Sequence, residues 1–185
     1  MCNLRCKRLG LCALFLCCLA ATAIRASAAQ SDVPSFINPA HRQALQSFLK
    51  TKPYLRVATY ADADEQGKSL LGNVSGGDFN ENKSPYYAVG DFNNDGREDF
   101  AIAFVNTRRP KDFPVAIFNG PFKGRRWVAP AYYNESKFGT DAFLLASTDE
   151  RPNQLVVGIT GGDMTVMLKP RRRGSGYYVW EGMTQ

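Results

Sequence analysis

Hydrophobic positions fall into three rhythms along this chain. Residues 9–24 form an apolar run of sixteen residues. Spacing then becomes helical over 39–52, where His41, Ala44, Leu45, Phe48 and Leu49 share one face. Asn38 can cap that helix, Pro39 suits its first position, and Pro53 stops it. From 54–60 onward the rhythm is mostly a period of two, the mark of a strand with one face buried. The stretch 62–82 is polar and Gly-rich, which predicts a long loop with a weak strand around 70–74. Tyr87, Val89 and Asp91 alternate with Ala88 and Gly90, and Phe100, Ile102 and Phe104 alternate with Ala101, Ala103 and Val105. Those two runs predict a β-hairpin over 86–104. Further short strands are expected at 115–118, 126–129, 142–146, 154–160, 165–169 and 176–180, with Gly161-Gly162-Asp163 as a tight turn. The expected fold class is α+β: one N-terminal helix packed on an antiparallel β-meander sheet. A β-sandwich or small barrel is the alternative. No internal repeat or domain boundary is visible, so 30–185 is expected to be a single globular domain.

The apolar run changes how the composition is read. Arg5, Lys7 and Arg8 precede it, and small residues at 26–29 follow it, the pattern of a secretory signal peptide over 1–29. An uncleaved anchor is the alternative, although sixteen residues are short for a membrane span. All five cysteines lie within this segment, so the remaining chain has no disulfide to stabilise it. Four of the 23 basic residues and no acidic one also lie there, which leaves 19 basic against 17 acidic residues, a net charge of +2 in place of +6. The basic balance of the whole chain is therefore no argument for nucleic acid. The expectation is a secreted or periplasmic protein with no membrane contact once the signal is removed.

The hairpin loop 91–99 reads Asp-Phe-Asn-Asn-Asp-Gly-Arg-Glu-Asp, with oxygen side chains at loop positions 1, 3, 5 and 9. Calcium takes six to eight oxygen ligands, including carboxylates, amide oxygens and main-chain carbonyls. Odd spacing in a tight loop turns Asp91, Asn93 and Asp95 toward one centre, with Gly96 free to take a positive φ. Arg97 would offer its main-chain carbonyl and Asp99 would close the shell. An ordinary Asn/Asp/Gly turn without metal is the alternative. An EF-hand is excluded, because Ile102 stands where the bidentate carboxylate belongs and both flanks read as strands.

The stretch from Tyr87 to Ile102 resembles one FG-GAP or VCBS-type repeat, the calcium-loop unit of integrin α-subunit propellers and of many bacterial surface proteins. The resemblance implies calcium held by the side chains of Asp91, Asn93, Asp95 and Asp99 and by the main chain of Arg97. Propellers need several blades. The nearest echo here, Gly77-Asp78-Phe79-Asn80, lacks both the Asp-Gly pair and the closing Asp. The metal loop carries over and the propeller does not. Some short secreted bacterial proteins carry a single such unit, and this chain is similar to them in outline.

Other chemistry is sparse. His41 is the only histidine and reads as a capping or packing residue. Zinc sites built on His and Cys are excluded for a mature chain with one His and no Cys. No catalytic residue is assigned. Strand counting places the loop 91–99 at one end of the sheet with the connections 119–125, 147–153 and 170–175. Lys123, Arg125 and Arg171 to Arg173 would then lie near the acidic loop, as solvated tips or as a site for an anionic partner. The functional expectation is a calcium-binding interaction module whose partner is a protein or glycan at or outside the cell envelope. A small carboxylate-based hydrolase, for instance one acting on carbohydrate, is the alternative, and the two differ in whether a concave pocket accompanies the loop.

Overall fold

A computed structural model describes residues 33–73, 83–122, 128–134, 143–148, 153–159, 164–171 and 176–183. The signal segment 1–29, the turn at 161–163 and residues 126–127 of the strand expected at 126–129 lie outside the described residues, and 128–129 are described without strand structure. Residues Val33–Gln185 cluster as one compact unit.

Helix α1 is Pro39–Thr51, and Asn38 caps it by accepting from Ala40 N at 3.0 Å. Its buried face is His41, Ala44, Leu45, Phe48 and Leu49, the set that the spacing predicts. Removing the cap with Asn38→Ala is expected to lower stability by about 1 kcal/mol in urea unfolding. A short β1, Leu55–Val57, follows. Within the region 62–82, expected to be a loop with a weak strand around 70–74, residues 74–82 lie outside the described residues and Glu65–Asn73 form a second helix, α2. Its signal lies at its start: Asp64 Oδ1 accepts from Gly67 N at 2.6 Å, and Lys68 pairs with Glu65 at 2.9 Å. The glycines of this segment mask that cap, while fully buried Leu71 ties the helix to the core.

Among the described residues every strand pairing is antiparallel. β2 (Tyr87–Gly90) and β3 (Asp99–Asn106) form the expected hairpin, in the register Tyr87↔Ile102 to Gly90↔Asp99. β1 pairs the far half of β3, Leu55↔Asn106 to Val57↔Phe104. On the other side of β3 come β4 (Val115–Phe118) and then β5 (Tyr132–Asn134), a strand the sequence pattern did not reveal. A second sheet runs in the order β6 (Phe143–Ser147), β7 (Leu155–Ile159), β8 (Met164–Pro170) and β9 (Tyr177–Met183). The strands thus divide into two open sheets where one meander was expected, and the described residues form no closed barrel.

β3 explains the division. All eight of its residues are buried, so both of its faces are covered. Phe100, Ile102 and Phe104 share a cluster with Leu45, Phe48 and Leu49 of α1. Ala101, Ala103 and Val105 share the other cluster with Leu145, Leu155, Val157, Leu168 and Tyr177 of the second sheet. Large side chains meet the helix and small ones meet the sheet, as close packing of unequal layers requires. The rings of Phe100 and Phe118 stack at 4.7 Å between centroids, and Phe48 meets Phe104 and Phe118 at 5.4 and 5.5 Å.

Candidate metal centre

The loop joining β2 to β3 is built from side chains that bond their own backbone. Asp91 Oδ1 and Asn93 Oδ1 both accept from Asp95 N, each at 3.0 Å, so the two oxygens converge on one N–H. Asp91 Oδ2 accepts from Gly96 N at 2.8 Å, and Asp95 Oδ1 accepts from Arg97 N at 3.0 Å. Asn93 Nδ2 donates to Asp95 Oδ2 at 3.2 Å. The curl needs two left-handed residues, Asn94 at φ 59° and Gly96 at φ 79°. Asn is one of the few side chains that enters this region readily, and Gly enters it without strain.

Asp99 sits differently. Fully buried at the first position of β3, it accepts from Phe92 N at 3.0 Å, Asn93 N at 3.2 Å and Gly120 N at 2.9 Å. Burial pushes its carboxyl up to about 6, against the pull of those N–H donors. The loop is also held from outside. Asp91 N donates to Asn153 Oδ1 at 3.1 Å, and Asn153 Nδ2 donates to Thr148 O at 2.6 Å. A Cβ at Gly90 would stand 2.5 Å from Ser147 Oγ and 3.2 Å from Asn153 Cβ, so glycine here lets the end of β6 and the chain before β7 approach closely. Tyr177 OH donates to Asn119 Oδ1 at 2.9 Å; burial and then the charge of Asp99 raise its phenol above the usual tyrosine range.

Gly120 and Asn153 therefore bring two of the three connections expected at this end onto the loop. Lys123, Arg125, Arg172 and Arg173 lie outside the described residues, and Arg171 is exposed. Beside the loop is a cleft of about 710 Å³ lined by Val89, Gly90, Asp91, Asn94, Asp95, Gly96, Arg97, Glu98 and Asn153.

His41 lies beneath this hairpin, a role its sequence neighbourhood did not announce. It is fully buried, its ring stacks on Phe100 at 4.4 Å, and Phe122 meets it edge-on at 4.7 Å. Nδ1 is 2.7 Å from Tyr87 OH. Nε2 is 3.0 Å from Glu98 Oε1, an ion-pair distance but out of line for a hydrogen bond, so this buried nitrogen has no hydrogen-bond partner among the described residues. Burial lowers the imidazole pKa and the Glu98 carboxylate raises it, with burial the larger effect. Tyr87 is pushed up to about 12 by burial. His41 thus bridges the start of β2 and the end of the loop.

Oxygen donors make the loop chemically suited to a hard cation. Each carboxylate oxygen has more than one lone pair, so an oxygen that accepts an N–H can still face an ion. Among the described residues no three His, Cys, Asp or Glu side chains gather as a metal-holding group. A cation here would depend on Asn93 and main-chain carbonyls as well as Asp91 and Asp95. Among the described residues no helix is long and apolar enough to cross a membrane. No family model matches the chain, and no curated protein matches it closely.

Proposed function

We propose that this protein is a secreted or periplasmic calcium-binding module that works by interaction rather than catalysis. Asp91, Asn93 and Asp95 hold the ion by side chain and Arg97 by main chain, with Asp99 as the fifth residue of the motif. Calcium supplies the positive charge that lets Asp91 and Asp95 share one turn, and it stiffens the β2–β3 connection. The partner is a protein or glycan at or outside the envelope, with neither nucleic acid nor, after signal cleavage, a membrane involved. In this reading α1 packs on the sheet that carries the loop and keeps the hairpin rigid. The observation that carries it is the convergence of Asp91 Oδ1 and Asn93 Oδ1 on Asp95 N.

The cleft favours a second reading, a small hydrolase using Asp91, Asp95 or Glu98, because catalysis needs a concave site with convergent polar groups. Asp99, whose carboxyl burial pushes up to about 6, does not line the cleft.

Thermal unfolding in EDTA and in calcium tests the proposal. Extracellular modules bind calcium at roughly 10⁻⁴–10⁻³ M. Tenfold excess over such a constant adds about 1.4 kcal/mol, a rise of roughly 2–5 °C for a domain of this size. Asp95→Ala is expected to lose that rise. A wild-type midpoint unmoved at several millimolar calcium would reduce the loop to a plain turn.

A further inference from the structure

We propose that the end of β3 opposite the loop grips a carboxylate-bearing polysaccharide. This rests on the interaction reading above and makes no use of the ion. The turn from β3 to β4 reads Thr107-Arg-Arg-Pro-Lys-Asp112, and 107–111 are exposed. Its one acid, Asp112, is held by Arg109 Nε at 2.9 Å, so a carboxylate already sits against a cation of this turn. Lys52, just past α1, brings a further cation alongside. Lys52 Nζ and Arg108 Cζ lie 5.8 and 4.9 Å from the centroid of the half-buried Tyr54 ring. Lys52 Nζ is also 4.6 Å from the centroid of Tyr133.

Main-chain bonds fix the cluster. Tyr54 O accepts from Thr107 N at 2.8 Å and from Thr107 Oγ1 at 2.9 Å, which ties the turn to the residue that both cations flank. Buried Asn106 accepts from Arg108 N at its side chain, at 3.0 Å, and from Arg109 N at its carbonyl, at 2.9 Å. A cation held over a ring has less rotamer freedom left to lose on binding. The acidic loop does not cancel this charge. The eight residues of β3 set the turn about 24 Å from the loop, more than two Debye lengths at about 0.1 M salt.

The surface chemistry selects the partner. Guanidinium forks pair with carboxylates in two parallel bonds. A globular protein partner needs an apolar centre to its interface. Here Leu55 and Phe113 are buried, and the exposed tip presents cations, one hydroxyl and one proline. A membrane surface calls for aromatic or aliphatic side chains to insert, and 107–111 carries none. A chain of uronate sugars needs only successive cations, which Arg108, Lys111 and Lys52 supply.

The test titrates the full chain, in EDTA, with oligogalacturonate, neutral dextran and anionic phospholipid vesicles. Wild type is expected to bind oligogalacturonate alone, and to weaken about tenfold or more between about 20 and 300 mM salt. Arg108→Gln with Lys111→Gln is expected to weaken binding about tenfold and to hold the unfolding midpoint within about 1 °C. Lys52→Gln is expected to weaken it about threefold; should that variant not fold, the exposed pair decides. Arg171→Gln removes an exposed cation on the connection after β8 and is expected to change binding less than about twofold. An equal loss in Arg171→Gln would make the attraction a property of overall charge and overturn the proposal. So would equal binding of dextran, binding of vesicles without the oligomer, or no oligomer binding at about 20 mM salt. A protein that binds the oligomer but whose midpoint ignores calcium would lose the calcium reading and keep this one. A calcium response without oligomer binding would do the reverse.

Discussion

His41→Ala is expected to lower stability by about 3 kcal/mol, a loss on the scale of removing a buried aromatic ring. The imidazole is stacked on Phe100, edged by Phe122 and close to Tyr87 OH and Glu98, so its removal opens a cavity and strands a half-buried phenol. The pH dependence separates this residue from its neighbours. Burial lowers the folded pKa of His41 below its ordinary 6.5, so the folded state takes up the proton less readily than the unfolded chain. The stability it contributes is present above 6.5 and is lost as pH falls through the folded pKa. Asp99 acts in the opposite sense. Raised from 3.8 to about 6, it favours the fold at low pH and loses that contribution as pH rises through this interval. The Asp99 effect is common to wild type and His41→Gln, so their difference in urea unfolding, measured in EDTA, isolates the histidine. That difference is expected to shrink between pH 7.5 and pH 5. A constant difference would mean that the ring is not held neutral.

Gly120→Ala is expected to cost about 3 kcal/mol, although it adds one methyl group. The new Cβ would overlap the Glu98 carbonyl oxygen, a backbone atom that cannot swing aside. Relieving the overlap moves Gly120 N away from Asp99 Oδ1 and leaves a buried carboxylate short of a donor. Gly96→Ala is the control. At φ 79° it is strained, but its Cβ would meet nothing within 4 Å, so about 1 kcal/mol is expected. Equal losses in the two variants, by urea unfolding, would show that the Gly120 approach is not tight.

Much of the architecture was legible because it is written in local patterns. Asn38-Pro39 followed by helical spacing gave α1, and the two alternating runs gave the hairpin with its loop. Strand counting also brought Gly120 and Asn153 to the loop, because antiparallel neighbours alternate ends. Other features were carried by contacts that a linear pattern does not express. The second helix began with an Asp64 cap hidden among glycines. β5 is only Tyr132–Asn134, too short to show a period. The division into two sheets follows from which face of β3 meets which layer, and alternation alone gives two faces without saying what covers them. At the loop, spacing showed which residues carry oxygen but not what each oxygen already bonds. For Asp99 those bonds run to Phe92 N, Asn93 N and Gly120 N, which no spacing announces. His41 was read as capping or packing; its packing was foreseen, its span from Tyr87 to Glu98 was not.

β3 begins at Asp99 and stays buried to Asn106, while the turn just before it, from Asn94 to Glu98, is exposed. An exposed turn and a fully buried strand are therefore spliced end to end. A protease that reaches the turn meets a segment it can cut only by unfolding the adjoining strand, since a cleavage site must become extended over several residues. Cutting at this turn is thus governed by how tightly the turn is closed, and anything that closes it protects this site.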